Sequence, residues 1–205
     1  MSGAEPAFDL AEQLFAELHR LTHDGVGITR DTYGAGEEKA HDLIKDVARR
    51  FDLAISTDAA LNLYVRLPGR DPDRPAVFTG SHLDSVPSGG NYDGAAGVLA
   101  GLAVLVGWRR SGFVPPVDTV LMVIRAEESS WFPVSYLGSK AAFGILPPEA
   151  LGLPRSDTGR SLAEHLRGLG GAPDQLANRV RALDPQRIAK FVEVHGQRAG
   201  SSEPS

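Results

Sequence analysis

Six side chains along this sequence have the types and placement to act together on a hydrolysable bond: His82, Asp84, Asp93, Glu127, Glu128 and His195. Each stands at the end of a stretch that reads as a strand, or on the loop directly after one. Strand ends of an alternating α/β layer share one edge, and ligands bind there, so residues far apart in sequence can converge. Imidazole and carboxylate without thiolate suit a catalytic zinc, manganese or cobalt site with a position left for water. The chain has no cysteine, so any metal must be held by His, Asp and Glu. In His82-Leu83-Asp84 the spacing lets the histidine meet a metal while the aspartate orients its ring from behind. Two adjacent glutamates at a strand end point apart, so one can ligate while the other takes a proton from water.

Taken singly, each of these signals has a plainer reading. A lone His-x-Asp is usually structural, paired glutamates are usually a solvated strand end, and a histidine near a C-terminus usually lies at the surface. The glycines at 89, 90, 94 and 97 could serve only a tight turn and close helix packing. The combination carries the metal reading, because the candidates sit at the ends of different elements. A phosphate loop is excluded, since no Lys-Ser or Lys-Thr follows the glycines. A serine-hydrolase elbow is excluded as well, for want of Gly-x-Ser-x-Gly. His19, His23, His41 and His165 lie in helical segments and are assigned no role.

The elements that must position these residues follow from apolar periodicity. Phe8, Ala11, Leu14, Phe15, Leu18 and Leu21 recur at helical spacing, and Ala40, Leu43, Ile44, Val47, Ala48 and Phe51 form one stripe of a helix over 37–51. Residues 53–57 and 62–67 alternate like two paired strands. A buried strand over 76–81 leads into the loop 80–94, which opens a helix from about Asp93 to Trp108. Residues 119–126 are nearly continuous in β-branched and apolar side chains, the mark of a strand covered on both faces, and they end in Glu127-Glu128. Residues 129–160 read as loops with short helices. Ser161-Leu162-Ala163-Glu164 has capping-box form, a second short helix covers 173–179, and 190–195 is a last strand.

At 205 residues there is room for one α/β domain. Apolar content of 42% and charged content of 23% are ordinary for a globular protein. A net charge of −5 offers no basic footprint, so nucleic acid is not an expected partner. No apolar run reaches the length of a membrane span, and residues 1–5 lack the basic start and apolar core of a secretory signal. The expected compartment is the cytoplasm.

The motif at 80–94 resembles the first metal motif of the dinuclear-metal amidohydrolases of the N-carbamoyl-L-amino-acid hydrolase, β-ureidopropionase and allantoate amidohydrolase group, relatives of the zinc aminoacylases and carboxypeptidases. The stretch 125–132 with Leu137-Gly138-Ser139 resembles the second motif, and 191–195 the start of the third. The resemblance runs from Phe8 to His195. It implies an α/β fold, a mixed sheet flanked by helices, as in the zinc-exopeptidase catalytic domain. It implies two divalent ions (Zn, Mn or Co), with His82 and His195 on the first, Asp93 bridging, and Glu128 on the second. Glu127 would be the general base, Asp84 would orient His82, and the peptide bond after Asp93 would be cis. The implied reaction is hydrolysis of the carbamoyl C–N bond of a small N-carbamoyl or ureido amino acid.

Departures from the pattern set further expectations. His195 is followed by Gly196-Gln197-Arg198-Ala199 rather than the family's Ile-Glu-Gln-Gly, and Trp131 stands where many relatives carry arginine. The family's lid and dimerisation domain, and its final histidine for the second metal, are not found in the sequence. Residues 1–195 are therefore expected to be a shortened N-terminal portion of a catalytic domain, with 196–205 a disordered tail. The second metal site is expected to be impaired, the sheet to carry an exposed edge with exposed apolar surface, and the oligomeric state is left open. The rival expectation is a catalytically incompetent homologue that binds at most one metal or a partner chain.

Overall fold

The computed structural model describes residues 5–194. Two amphipathic helices open the chain, α1 (Phe8–Thr22) and α2 (Ala35–Arg50). They are followed by the strands β1 (Ala54–Thr57), β2 (Leu63–Leu67) and β3 (Ala76–His82). Helix α3 (Ala95–Ser111) and strand β4 (Thr119–Ile124) come next. The short helices α4 (Leu137–Ala142), α5 (Leu162–Gly168) and α6 (Pro173–Ala177) precede the strand β5 (Ile188–Glu193). The capping box expected at Ser161 is formed, with Ser161 and Glu164 each bonding the other's backbone.

The five strands make one sheet in the order β1-β2-β4-β3-β5. β1, β2 and β4 pair antiparallel, while β4, β3 and β5 run parallel. β4 lies inside this sheet and every one of its residues is buried, as its unbroken apolar run requires. One face of the sheet is covered by α1, α2 and α3, whose Leu18, Ile44, Leu99, Leu102 and Leu105 close on Leu63, Val65, Leu121 and Val123. The mixed sheet flanked by helices is the fold expected, with the other face more lightly covered. There Phe78, Val120, Met122 and Ile124 meet only Ala142, Leu183, Ile188 and a few partly buried neighbours, and no long helix lies over them among the described residues.

α3 runs to Ser111 instead of stopping near Trp108, because its end waits for Gly112, which closes it at φ 71. β4 stops at Ile124, short of the expected Ala126. Ala126 sits at φ 56, a left-handed conformation that ends the extended run and puts Glu127 and Glu128 on a loop. Strand alternation therefore does not set the directions of their side chains.

β5 is an outer strand and carries exposed Phe191 and Val192, with Val194 exposed just beyond it. This is the exposed edge and apolar surface that was expected. His195 and the tail 196–205 lie outside the described residues.

α3 approaches the ends of β3 and β5 closely enough that only glycine fits at 97, since a Cβ there would run into Ser81 Cβ and the Val194 carbonyl. Gly97→Ala is expected to lower unfolding stability by about 1–3 kcal/mol through overpacking. Urea denaturation measures it, and an unchanged midpoint would mean that β5 gives way freely.

Candidate functional site

β3 carries His82 to the C-terminal edge of the sheet, where its side chain is buried. The ring Nδ1 lies 3.0 Å from the Asp84 carbonyl oxygen and 3.3 Å from Asp84 Oδ1, so Nδ1 carries a proton and donates. Nε2 is thereby the nitrogen turned toward the other candidates, 3.7 Å from Glu127 Oε2 and 4.0 Å from Asp93 Oδ1. Burial disfavours the imidazolium, but Asp84 and Glu127 outweigh it and hold His82 up at about 9.

The turn that returns Asp93 to this ring depends on Gly94. Its φ is 63, and a Cβ there would sit 2.6 Å from His82 Cε1. The cis peptide expected after Asp93 does not occur, and no described residue has one. Gly94 supplies the sharp reversal in its place.

Asp84 is fully buried and satisfied by donors from separate segments. Its Oδ2 accepts from the Thr32 hydroxyl at 2.7 Å and from the Glu128 N–H at 3.1 Å, and its Oδ1 accepts from the Glu127 N–H at 3.0 Å. One carboxylate thus touches the histidine and both glutamates. Burial, reinforced by Asp84 and Glu127, raises the Glu128 carboxyl above its usual range.

Several residues that the sequence did not single out complete the frame. Arg30 is fully buried; it donates to the Leu83 carbonyl, to the Asp93 carbonyl at 3.1 Å and to Asn91 Oδ1 at 3.5 Å. Burial lowers Arg30 to about 10, although Asp84, Asp93 and Glu37 oppose the shift. Arg125, also buried, pairs with Glu37 at 3.1 Å and Glu38 at 3.0 Å. The N–H groups of Tyr136, Leu137 and Gly138 bond the carbonyls of Glu127, Ala126 and Arg125, which ties the glutamate loop to the start of α4. Arg125 did carry a signal, as a cation that directly follows five apolar strand residues. Arg30 and Glu37 carried none, because their local sequence is polar and their burial is tertiary. Trp131 is turned inward, donating to the Ser85 carbonyl at 2.8 Å with the Arg155 guanidinium 4.8 Å above its ring.

The candidates therefore divide. His82, Asp84, Asp93, Glu127 and Glu128 are brought to one edge, while His195 lies outside the described residues. Two donors on one cation, each about 2.0–2.2 Å from it, stand no more than about 4.4 Å apart. The 4.0 Å separation of His82 Nε2 from Asp93 Oδ1 meets that bound, with the nitrogen and oxygen donors a divalent ion takes. The fit is partial, because among the described residues no group of three or more such donors could hold an ion. Asp84→Ala would strand the donors of Thr32, Glu127 and Glu128, so it is expected to cost about 3 kcal/mol or more in chemical denaturation of the metal-free protein. A loss below about 1 kcal/mol would show that water replaces the carboxylate.

Comparison with known proteins bears on this arrangement. The model of peptidase family M28 matches residues 62–151. N-carbamoyl-L-amino acid amidohydrolase of Geobacillus stearothermophilus is 40% identical over 188 residues, which cover 90% of this chain and 45% of that protein. Allantoate amidohydrolase of Bacillus subtilis (strain 168) is 33% identical over 181 residues, covering 87% and 42%. The crystal structure of a hydantoinase/carbamoylase family amidase from Burkholderia ambifaria superposes with a TM-score of 0.77 at 30% identity, covering 82% of this chain and 42% of that one. The chain spans less than half the length of these relatives. Within that span the chain is similar in both sequence and fold to the N-carbamoyl-L-amino acid and allantoate amidohydrolases.

Proposed function

We propose that this chain carries part of a hydrolase that splits the carbamoyl C–N bond of N-carbamoyl-L-amino acids or related ureido acids. The observation that carries the reading is the meeting of His82 Nε2 with Asp93 and Glu127 carboxylates at 4.0 and 3.7 Å, on the sheet edge where the glutamate loop and the Gly94 turn converge. His82, Asp93 and His195 would hold a first divalent ion, and Asp93 with Glu128 a second and weaker one. Such an ion, zinc, manganese or cobalt, supplies Lewis acidity to the ureido carbonyl and acidity to a water when bound.

The rest of the chemistry belongs to the chain. Asp84 fixes the His82 ring through Nδ1, so that Nε2 is presented to the cleft. Glu127 takes the proton of the attacking water and returns it to the departing nitrogen. One water is consumed, and an N-carbamoyl amino acid yields the amino acid, carbon dioxide and ammonia. The relatives named for N-carbamoyl-L-amino acids and allantoate support a small ureido substrate.

A second reading is favoured by the absence of a three-donor group among the described residues. In it the chain binds one ion or a partner and turns nothing over. Metal content after dialysis, measured beside N-carbamoyl-amino-acid hydrolysis with added manganese, cobalt or zinc, separates the two. Turnover with two ions bound supports the hydrolase, and one ion or none without turnover supports the second reading. In a protein that turns over, Glu127→Gln is expected to lower kcat by about 10²–10⁴ while metal content is kept. Activity that survives the substitution would remove Glu127 from the role of base.

A further inference from the structure

Three consecutive N–H groups in the glutamate loop are held by buried carboxylates. Asp84 takes those of Glu127 and Glu128, and Glu37 takes that of Ala126 at 3.2 Å. Glu37 lies in the first turn of α2, 89 residues away in sequence, and is fully buried. Its Oε1 accepts from Ala126, while its Oε2 accepts from the Tyr33 N–H at 2.7 Å and from Arg125 Nη1 at 3.1 Å. Tyr33 and Ala126 are both left-handed, at φ 51 and 56, so one carboxylate secures two residues in a conformation that side chains with a Cβ avoid. Ala126 is also the point where the chain leaves the line of β4 and turns the following glutamate toward His82.

We infer that Glu37 is a positioning residue for Glu127, holding Ala126 in the left-handed turn that aims the Glu127 carboxylate at the His82 ring. What that aim serves rests on the hydrolase reading, but the hold itself does not. Glu37→Gln is the discriminating change. The carboxamide keeps an oxygen for the Tyr33 and Arg125 donors and turns its NH₂ against the Ala126 N–H, so this one bond is lost with little change in shape. If the hold on Ala126 is the function, a glycine at 126 should restore it, because glycine adopts a positive φ without strain.

The test is amide hydrogen exchange by NMR on the metal-free chain. Four proteins are compared: wild type, Glu37→Gln, Ala126→Gly and the double variant. Glu37→Gln should speed exchange at residues 126–128 by about tenfold or more, and at Val65 and Leu121 in the sheet by less than about threefold. The double variant should bring Glu127 and Glu128 back to within about threefold of wild type. Unchanged exchange at 126–128, acceleration shared equally by the sheet, or no recovery with glycine would each overturn the inference. Should Glu37→Gln not fold, Glu37→Asp keeps the charge beside Arg125 while drawing back from Ala126, and the same pattern is expected. In protein that turns over, Glu37→Gln should lower kcat about tenfold with KM within about twofold, and Ala126→Gly should recover it. Wild type that hydrolyses no N-carbamoyl amino acid with manganese, cobalt or zinc refutes the hydrolase reading, and the exchange results still decide the role of Glu37.

Discussion

A carboxylate removed from water is tolerated only where donors take the place of water, and Asp84 draws its donors from around the whole site. Thr32 arrives from the loop before α2, His82 from the end of β3, and the N–H groups of Glu127 and Glu128 from the loop after β4. No two of these segments are neighbours in sequence. Their common need to satisfy one buried charge brings them into register, and the ring orientation of His82 follows from it. The loops at this edge are ordered by electrostatics, while the helices and strands behind them are ordered by apolar packing.

The same division runs through the molecule. Leucine, isoleucine and valine side chains from three helices and the sheet form the core behind the site and supply the non-directional free energy of folding. The polar layer at the strand ends adds direction. Arg30 and Arg125 are both buried there, Arg30 against carbonyl oxygens and Arg125 against the Glu37 and Glu38 carboxylates. Buried ion pairs of this kind contribute little net stability, because desolvation offsets most of the Coulomb gain. What they fix here is geometry. Arg30 sets the path of the loop from Leu83 to Asp93, and the Arg125–Glu37 pair sets the left-handed turn ahead of Glu127.

The sheet is finished on one side only. Three helices cover one face, and the opposite face carries grooves. One of these runs between β4 and β5, past Glu127 and Tyr136 to Phe143 and Phe191. β5 pairs with β3 and with no other strand among the described residues. The two relatives compared above are more than twice as long as the portion that they share with this chain. The described candidates for chemistry nevertheless lie within the shared span, because the strand ends that carry them come from β3 and β4 inside the sheet.

Local chemistry was legible in the sequence. The helices showed in their apolar stripes, β4 in its unbroken β-branched run, and the capping box in Ser161 and Glu164, since each is decided by side chains close together in the chain. The motif at 80–94 likewise declared His82, Asp84 and Asp93, because the loop that joins strand to helix brings them together. Burial of charge could not be read in the same way. Arg30, Glu37 and Thr32 sit in stretches as polar as any surface loop, and only packing against segments distant in sequence removes them from water. The left-handed turn at Ala126 was hidden for a related reason. Alanine favours neither that conformation nor a strand's end, and the hydrogen bond that holds it there comes from Glu37, far back in the chain. The sequence by itself determined which groups could do chemistry and which elements would carry them. Their mutual aim was decided by tertiary structure, because it rests on buried hydrogen bonds between segments that sequence distance keeps apart.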